Sequence, residues 1–156
     1  MSKSPDIKAP RYLEDFVIGD IIETSSTIIT KGMIVAFAKD YDPQPMHLDD
    51  SAAKKTVFGE LVGSGWQTLA MTMRLVVDAG LLGGTPIVGV EFKDTKFHAP
   101  LLPGSSIKAK AEIIGIQGSK SRPDIGFLDV RVTTFADETK MLITQNWRLV
   151  VPTKQK

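Results

Sequence analysis

One helix constrains this chain more than any other stretch. From Trp66 to Leu82 apolar residues fall at positions 66, 69, 70, 73, 76 and 77, with more at 71 and 75. Polar Gln67, Arg74 and Asp78 lie at helical spacing along one narrow stripe. A helix this apolar around its circumference has to be covered on most sides, and its Met and Leu stripe is expected to be core. Ser64 with Gly63 and Gly65 marks its start, and Gly80, Gly83 and Gly84 mark its end, because glycine accepts the left-handed backbone with which helices often stop.

The segments after this helix show what covers it. Ile87–Lys96 begins with alternation at Val88, Val90 and Phe92. Ser105–Ile116 sets Ile107, Ala109, Ala111 and Ile113 against Lys108, Lys110 and Glu112. Gly126–Phe135 sets Leu128, Val130 and Val132 against Asp129, Arg131 and Thr133, and Met141–Val151 puts Met141, Ile143, Trp147, Leu149 and Val151 on one face. Period-two alternation predicts antiparallel strands with one buried face. The connectors at 100–104, 118–123 and 136–139 are short enough for hairpins or turns.

Before the helix, Ile21–Thr30 is rich in Ile and Thr and predicts a strand. Thr30 is placed to cap a short helix over Met33–Lys39, with Ile34, Phe37 and Ala38 inward. Asp49-Asp50-Ser51 starts another short helix, and the two aspartates read as caps rather than catalysts. One strand, then helices, then four strands makes an α+β chain, with an antiparallel sheet curved around the long helix.

The chain's 156 residues suit one domain with a real core. Residues 1–12, polar and carrying Pro5 and Pro10, are expected to form a flexible arm, and 13–156 a single domain. Nineteen basic against 18 acidic residues give a net charge of +1, which argues against a broad nucleic-acid footprint. Without cysteine there is no disulfide, thiol nucleophile or thiolate metal site. The first residues lack the apolar core of a secretory leader. Thr72, Arg74 and Asp78 interrupt the longest apolar stretch, which rules it out as a membrane span. A cytoplasmic protein without a membrane or nucleic-acid partner is expected.

The chemistry-bearing stretch is Asp42 to Gly65. An acid, Asp42, stands five residues before an imidazole, His47, with Pro43 and Pro45 between them. Each proline fixes its own φ and pushes the preceding residue out of the helical region. Asp42 and Gln44 are therefore expected to be extended, on a stiff loop that holds carboxylate and imidazole in a fixed relation. By themselves these residues leave two readings open: a polar turn with His47 on the surface, or a paired acid and base.

The run FAKDYDPQPMHLDDSAAKKTVFGELVGSGWQT resembles the hydratase motif of the MaoC-like acyl dehydratases, the R-specific enoyl-CoA hydratases. In that pattern an Asp, any residue, Asn or Gln, Pro, any residue and His precede a small residue and Gly. These positions are Asp42, Gln44, Pro45, His47 and Ser64-Gly65 in this chain. The resemblance runs over roughly 13–151 and is strongest over 36–72. It implies a hot-dog fold, a long helix wrapped by a curved antiparallel sheet. It also implies hydration of trans-2-enoyl-CoA to (R)-3-hydroxyacyl-CoA, without a separate cofactor.

In this resemblance Asp42 and His47 activate a water, and the Gly65 amide polarises the thioester carbonyl as an oxyanion hole. Gln44 and Ser64 support the site, Ser64 as a helix cap. Trp66 and the segment Leu81–Thr85 are expected along the acyl cavity, and Lys54 and Lys55 are candidates to meet coenzyme A phosphates. A homodimer or larger homo-oligomer is implied, with the site at the subunit boundary. Two departures stand out. Ser105 replaces an Asp after the Pro-Gly turn, and Met73, beside Thr72, stands where some members carry a serine.

Other chemistries fit less well. Only His47 and His98 are present and there is no H-E-x-x-H, so no metal is expected. Val62 and Trp66 occupy the glycine positions of a serine nucleophile elbow. A thioesterase of this fold would place an acid early on the central helix, and none lies between Gly65 and Arg74. A non-catalytic acyl-thioester binding module is the remaining alternative.

Overall fold

The structure is a computed structural model that describes residues 8–154. After a 3₁₀ turn at Leu13–Asp15, the elements are β1 (Ile21–Glu23), β2 (Thr27–Ile28), α1 (Lys31–Tyr41), α2 (Pro45–Leu48) and α3 (Asp50–Ala53). They continue as α4 (Gly65–Ala79), β3 (Val88–Phe97), β4 (Ser106–Gly118), β5 (Ile125–Ala136) and β6 (Lys140–Pro152). The strands form one antiparallel sheet in the order β1-β4-β5-β6-β3, with β2 also on β4. The sheet is curved and not closed, and α4 packs on it: this is the hot-dog fold. Among the described residues no helix is long and apolar enough to cross a membrane.

The core lies between α4 and the inward residues of the sheet. Ile107, Ala109, Ala111 and Ile113 of β4, with Leu128, Val130 and Val132 of β5, are buried as their alternation predicts. Ser64 caps α4 by accepting from the Trp66 N–H at 3.2 Å, and Gly80 ends it with φ 72°. Thr30 caps α1 through the Met33 N–H, and Asp49 caps α3 through that of Ala52.

The structure corrects several expectations. The strand expected over Ile21–Thr30 is two short strands, because Ser25 and Ser26 stand together opposite Lys108 in the register with β4. Such a bulge carries one extra residue. Thr24 fills the gap, its backbone N–H donating to the Ala109 carbonyl and its hydroxyl accepting from the Ala109 N–H, both at 2.9 Å. The connector at 100–104 joins strands that are not neighbours, so it is a crossover rather than a hairpin.

Met141 points outward rather than into the core, because the register of β6 on β5 shifts between Thr134 and Phe135. Leu142 and Ile143 are both buried as a result. β3 has no buried face at all: every residue from Val88 to Phe97 is exposed on this edge strand.

The flexible arm expected over 1–12 falls in part on residues 1–7, outside the described residues. Residues 8–12 are tied to the end of α4. Arg11 donates its N–H to Leu82 O at 3.2 Å and its guanidinium to Leu81 O at 3.1 Å. Pro10 bridges to Gly83. Leu81 and Leu82 are accordingly fully buried core residues.

Candidate active site

The segment between α1 and α4 folds back on itself so that its two ends meet. Asp42 is the C-cap of α1, with its N–H donated to Ala38 O at 2.9 Å. Gln44 is extended, as a residue before proline should be. The stiff loop expected from the prolines is in part a single helical turn, α2, with Pro45 at its first position. Proline suits that position because its missing N–H would have no partner there and its φ is already helical. His47 sits on this turn and is 4% exposed.

The far end of the segment is fastened to the near one. Val62 donates its N–H to Met46 O at 3.0 Å and receives His47 Nδ1 on its own carbonyl at 2.6 Å. A carbonyl only accepts, so Nδ1 carries the hydrogen and the neutral ring presents a lone pair on Nε2. Gly63 donates to Leu101 O at 2.7 Å, which fixes the turn that opens α4.

Nε2 of His47 lies 3.3 Å from Asp42 Oδ2. The same Oδ2 accepts from the Ser64 hydroxyl at 2.6 Å, and Oδ1 accepts from the Gln44 amide at 2.6 Å. These donors hold the Asp42 carboxyl below its ordinary value of 3.8, Ser64 first and Gln44 next, with His47 acting in the same direction. Hydrogen bonds to the charged form favour it. Asp42 is thus a fixed anion beside an imidazole whose free nitrogen faces it.

Asp42, Gln44, His47, Gly65 and Trp66 all line one cavity of about 970 Å³. Its further wall is largely apolar, from Leu69 and Met73 of α4, Phe92 and Phe97 of β3 and Trp147 of β6. Gly65 is the first residue of α4, where backbone N–H groups lack helical acceptors and the helix dipole is positive. Its lack of a side chain is required: a Cβ there would come within 2.6 Å of the Phe97 ring. Trp66 stands at the rim, 69% exposed.

Other expected positions lie elsewhere. Ser64 does not line the cavity. It is fully buried behind Asp42, and its hydroxyl serves both the carboxylate and the helix cap. Lys54 and Lys55 are exposed beyond α3, away from the cavity lining. The segment 81–85 packs on the arm instead of the cavity.

On α4 the Met and Leu stripe is not plain core, since Leu69 and Met73 face the cavity. The buried face instead carries Gln67, Thr68 and Thr72 with Leu75 and Val76. Gln67, expected on the polar stripe, is buried and donates to Met33 O at 3.1 Å. Thr72 is turned from the cavity and bonds Thr134 Oγ1 at 2.6 Å.

Two residues were missed. His98 lines the cavity and bonds Thr144 Oγ1 at 2.8 Å. Gln145 is a buried amide on the cavity wall. Its signal was available, as the one polar position in the inward alternation Ile143, Trp147, Leu149 and Val151.

Comparison with known proteins agrees with this architecture. The family model described as the MaoC like domain matches residues 15–134. The Bacillus subtilis (strain 168) protein YdeM, itself uncharacterized, is 33% identical over 123 residues, which cover 79% of this chain and 86% of that protein. The crystal structure of a MaoC-like dehydratase from Rhodospirillum rubrum is 32% identical and superposes with a TM-score of 0.84, over 93% of this chain and 99% of that one. The unliganded R-hydratase PhaJ1 from Pseudomonas aeruginosa shares the fold at a TM-score of 0.74 and 18% identity, over 93% of this chain and 88% of that one.

Proposed function

Because this chain belongs to the MaoC-like domain family, we propose that it is an enoyl-CoA hydratase. It adds water to trans-2-enoyl-CoA thioesters to give (R)-3-hydroxyacyl-CoA, with no cofactor beyond the coenzyme A that the substrate carries. The observation that carries this reading is the pairing of Asp42 Oδ2 and His47 Nε2, 3.3 Å apart, on the wall of an apolar cavity.

In this reading a water rests against the pair, and His47 Nε2 takes its proton as general base. The water oxygen bonds to the β-carbon. The π electrons of the double bond shift toward the α-carbon and the thioester oxygen, where the Gly65 N–H at the positive end of α4 meets the developing charge. The imidazolium formed is ion-paired with Asp42. The pair then delivers the proton to the α-carbon and regains its starting charges. One C–O and one C–H bond form, and one O–H bond of the water and one π bond are lost. Gln44 and Ser64 hold the carboxylate, and Trp66 borders the acyl group's entry.

The same reading makes the protein a homodimer or larger homo-oligomer. β3 is an edge strand with Val88, Val90, Phe92 and Phe97 all exposed, and unpaired strand edges of this kind are templates for pairing. Phe92 and Phe97 also line the cavity, so a second copy on β3 would help close the site.

The test is incubation with trans-2-enoyl-CoA thioesters of several chain lengths, following enoyl absorbance and free thiol together. Loss of absorbance without thiol is the expected result. Thiol release would make the protein a thioesterase, and acyl-CoA binding without either reaction would make it a binding module.

A further inference from the structure

The cavity wall holds two polar atoms that the hydration chemistry does not use. Gln145 and Trp147 sit two residues apart on β6, so their side chains share its inward face. Both line the cavity, and they are 4% and 2% exposed. Gln145 Nε2 and Trp147 Nε1 are buried without a hydrogen-bond partner among the described residues. Neither is part of the Asp42–His47–Ser64–Gln44 network.

Buried polar groups are nearly always satisfied, and one that is not calls for an explanation. Core packing alone does not supply one at position 145. The neighbouring inward residues Ile143, Trp147 and Leu149 are apolar and at most 2% exposed, and a leucine or methionine would continue that row without leaving an amide unpaired. An indole N–H donates only, while an amide both donates and accepts. On one face of β6 they form a pair of unpartnered donors, in a wall whose other residues include Phe92, Thr95, Phe97 and His98.

From this we infer that the acyl group bound here carries a neutral oxygen acceptor, a hydroxyl, keto or ether oxygen, in the part of the chain that reaches β6. The inference rests on the acyl-thioester reading of the cavity and narrows its substrate class. A plain alkyl chain leaves both donors unpaired, whereas an oxygenated chain supplies the acceptor they lack. Sites built to hydrogen-bond a substrate reject the analogue that lacks the partner. A carboxylate fits less well, because no Lys or Arg among the described residues lines the cavity and Asp42 contributes a negative charge there.

The test compares plain trans-2-enoyl-CoA thioesters with chain-length-matched thioesters bearing one hydroxyl or keto group beyond the double bond. The same pairs in saturated form are used in a thermal-shift binding assay, which needs no turnover. The oxygenated member should be preferred in kcat/KM, and in binding, by about tenfold or more. Gln145→Leu should abolish or reverse that preference, and Trp147→Phe, which keeps a ring against Phe92, should reduce it.

Equal or better use of the plain chain by the wild type, with no change of preference in Gln145→Leu, overturns the inference while leaving hydration intact. A preference for a terminal carboxylate also overturns it. If neither class is hydrated but the binding preference and its loss in Gln145→Leu are found, the hydratase reading fails and this inference stands. Should Gln145→Leu not fold, Trp147→Phe and Gln145→Met carry the same comparison.

Discussion

The Ser64 hydroxyl has two partners at once. It accepts from the Trp66 N–H, which starts α4, and it donates to Asp42 Oδ2, which fixes the candidate acid. Removing it in Ser64→Ala deletes a helix cap and a hydrogen bond to a partly buried anion. The expected cost is about 2 kcal/mol at neutral pH, read from denaturant melts. The pH dependence of that cost follows from the depressed Asp42 pKa. A carboxylate held below 3.8 in the folded protein contributes stability above its unfolded value, and that contribution is lost as pH falls through the folded value. The gap between wild type and Ser64→Ala should therefore narrow in acid, to the share of the cap, about 1 kcal/mol. A gap that stays constant or widens would show that Ser64 does not hold Asp42.

At the scale of elements, the strength of each pattern decided how much of it was legible in the sequence. β4, β5 and β6 stand within two residues of their expected bounds, because each alternates over many residues with one face in the core. The α4 limits were set by Ser64 and Gly80. What the pattern concealed came from register. Bulges at Ser25-Ser26 and beside Leu142 change the count of residues facing inward, and nothing local announces them. β3 alternates like a half-buried strand and is exposed on both faces, since edge position is a property of the whole sheet. For the site, the Asp42–His47 spacing was readable, but the one-turn helix under His47 and the Val62 carbonyl that sets its tautomer depend on contacts across fifteen residues. The turn before α4 gives a test at this scale. A Cβ on Gly63 would lie 2.8 Å from Leu101 Cδ2, and Leu101 is buried. Gly63→Ala should cost about 1–3 kcal/mol by overpacking, measured as a lowered melting midpoint, and should weaken the fastening that carries His47 and Gly65. An unchanged midpoint would contradict the tight fit.

For the molecule as a whole, the exposed edge at β3 and the cavity belong together. Phe92 and Phe97 are about half exposed and yet line the cavity. Val90→Lys, a charge on that edge, should shift the protein toward monomer in sedimentation velocity, without altering the Asp42–His47 geometry. A protein that is already monomeric, or an oligomer insensitive to this charge, would contradict pairing through β3. Catalysis itself rests on the Asp42–His47 pair in the proposed reaction. The most direct measurement is the rate of enoyl absorbance loss with trans-2-enoyl-CoA for wild type, Asp42→Asn and His47→Ala, each checked for native melting. Both variants should fold and lose at least about a hundredfold in kcat/KM, as loss of a general acid–base group does. Variants that fold and hydrate the substrate at the wild-type rate would contradict it.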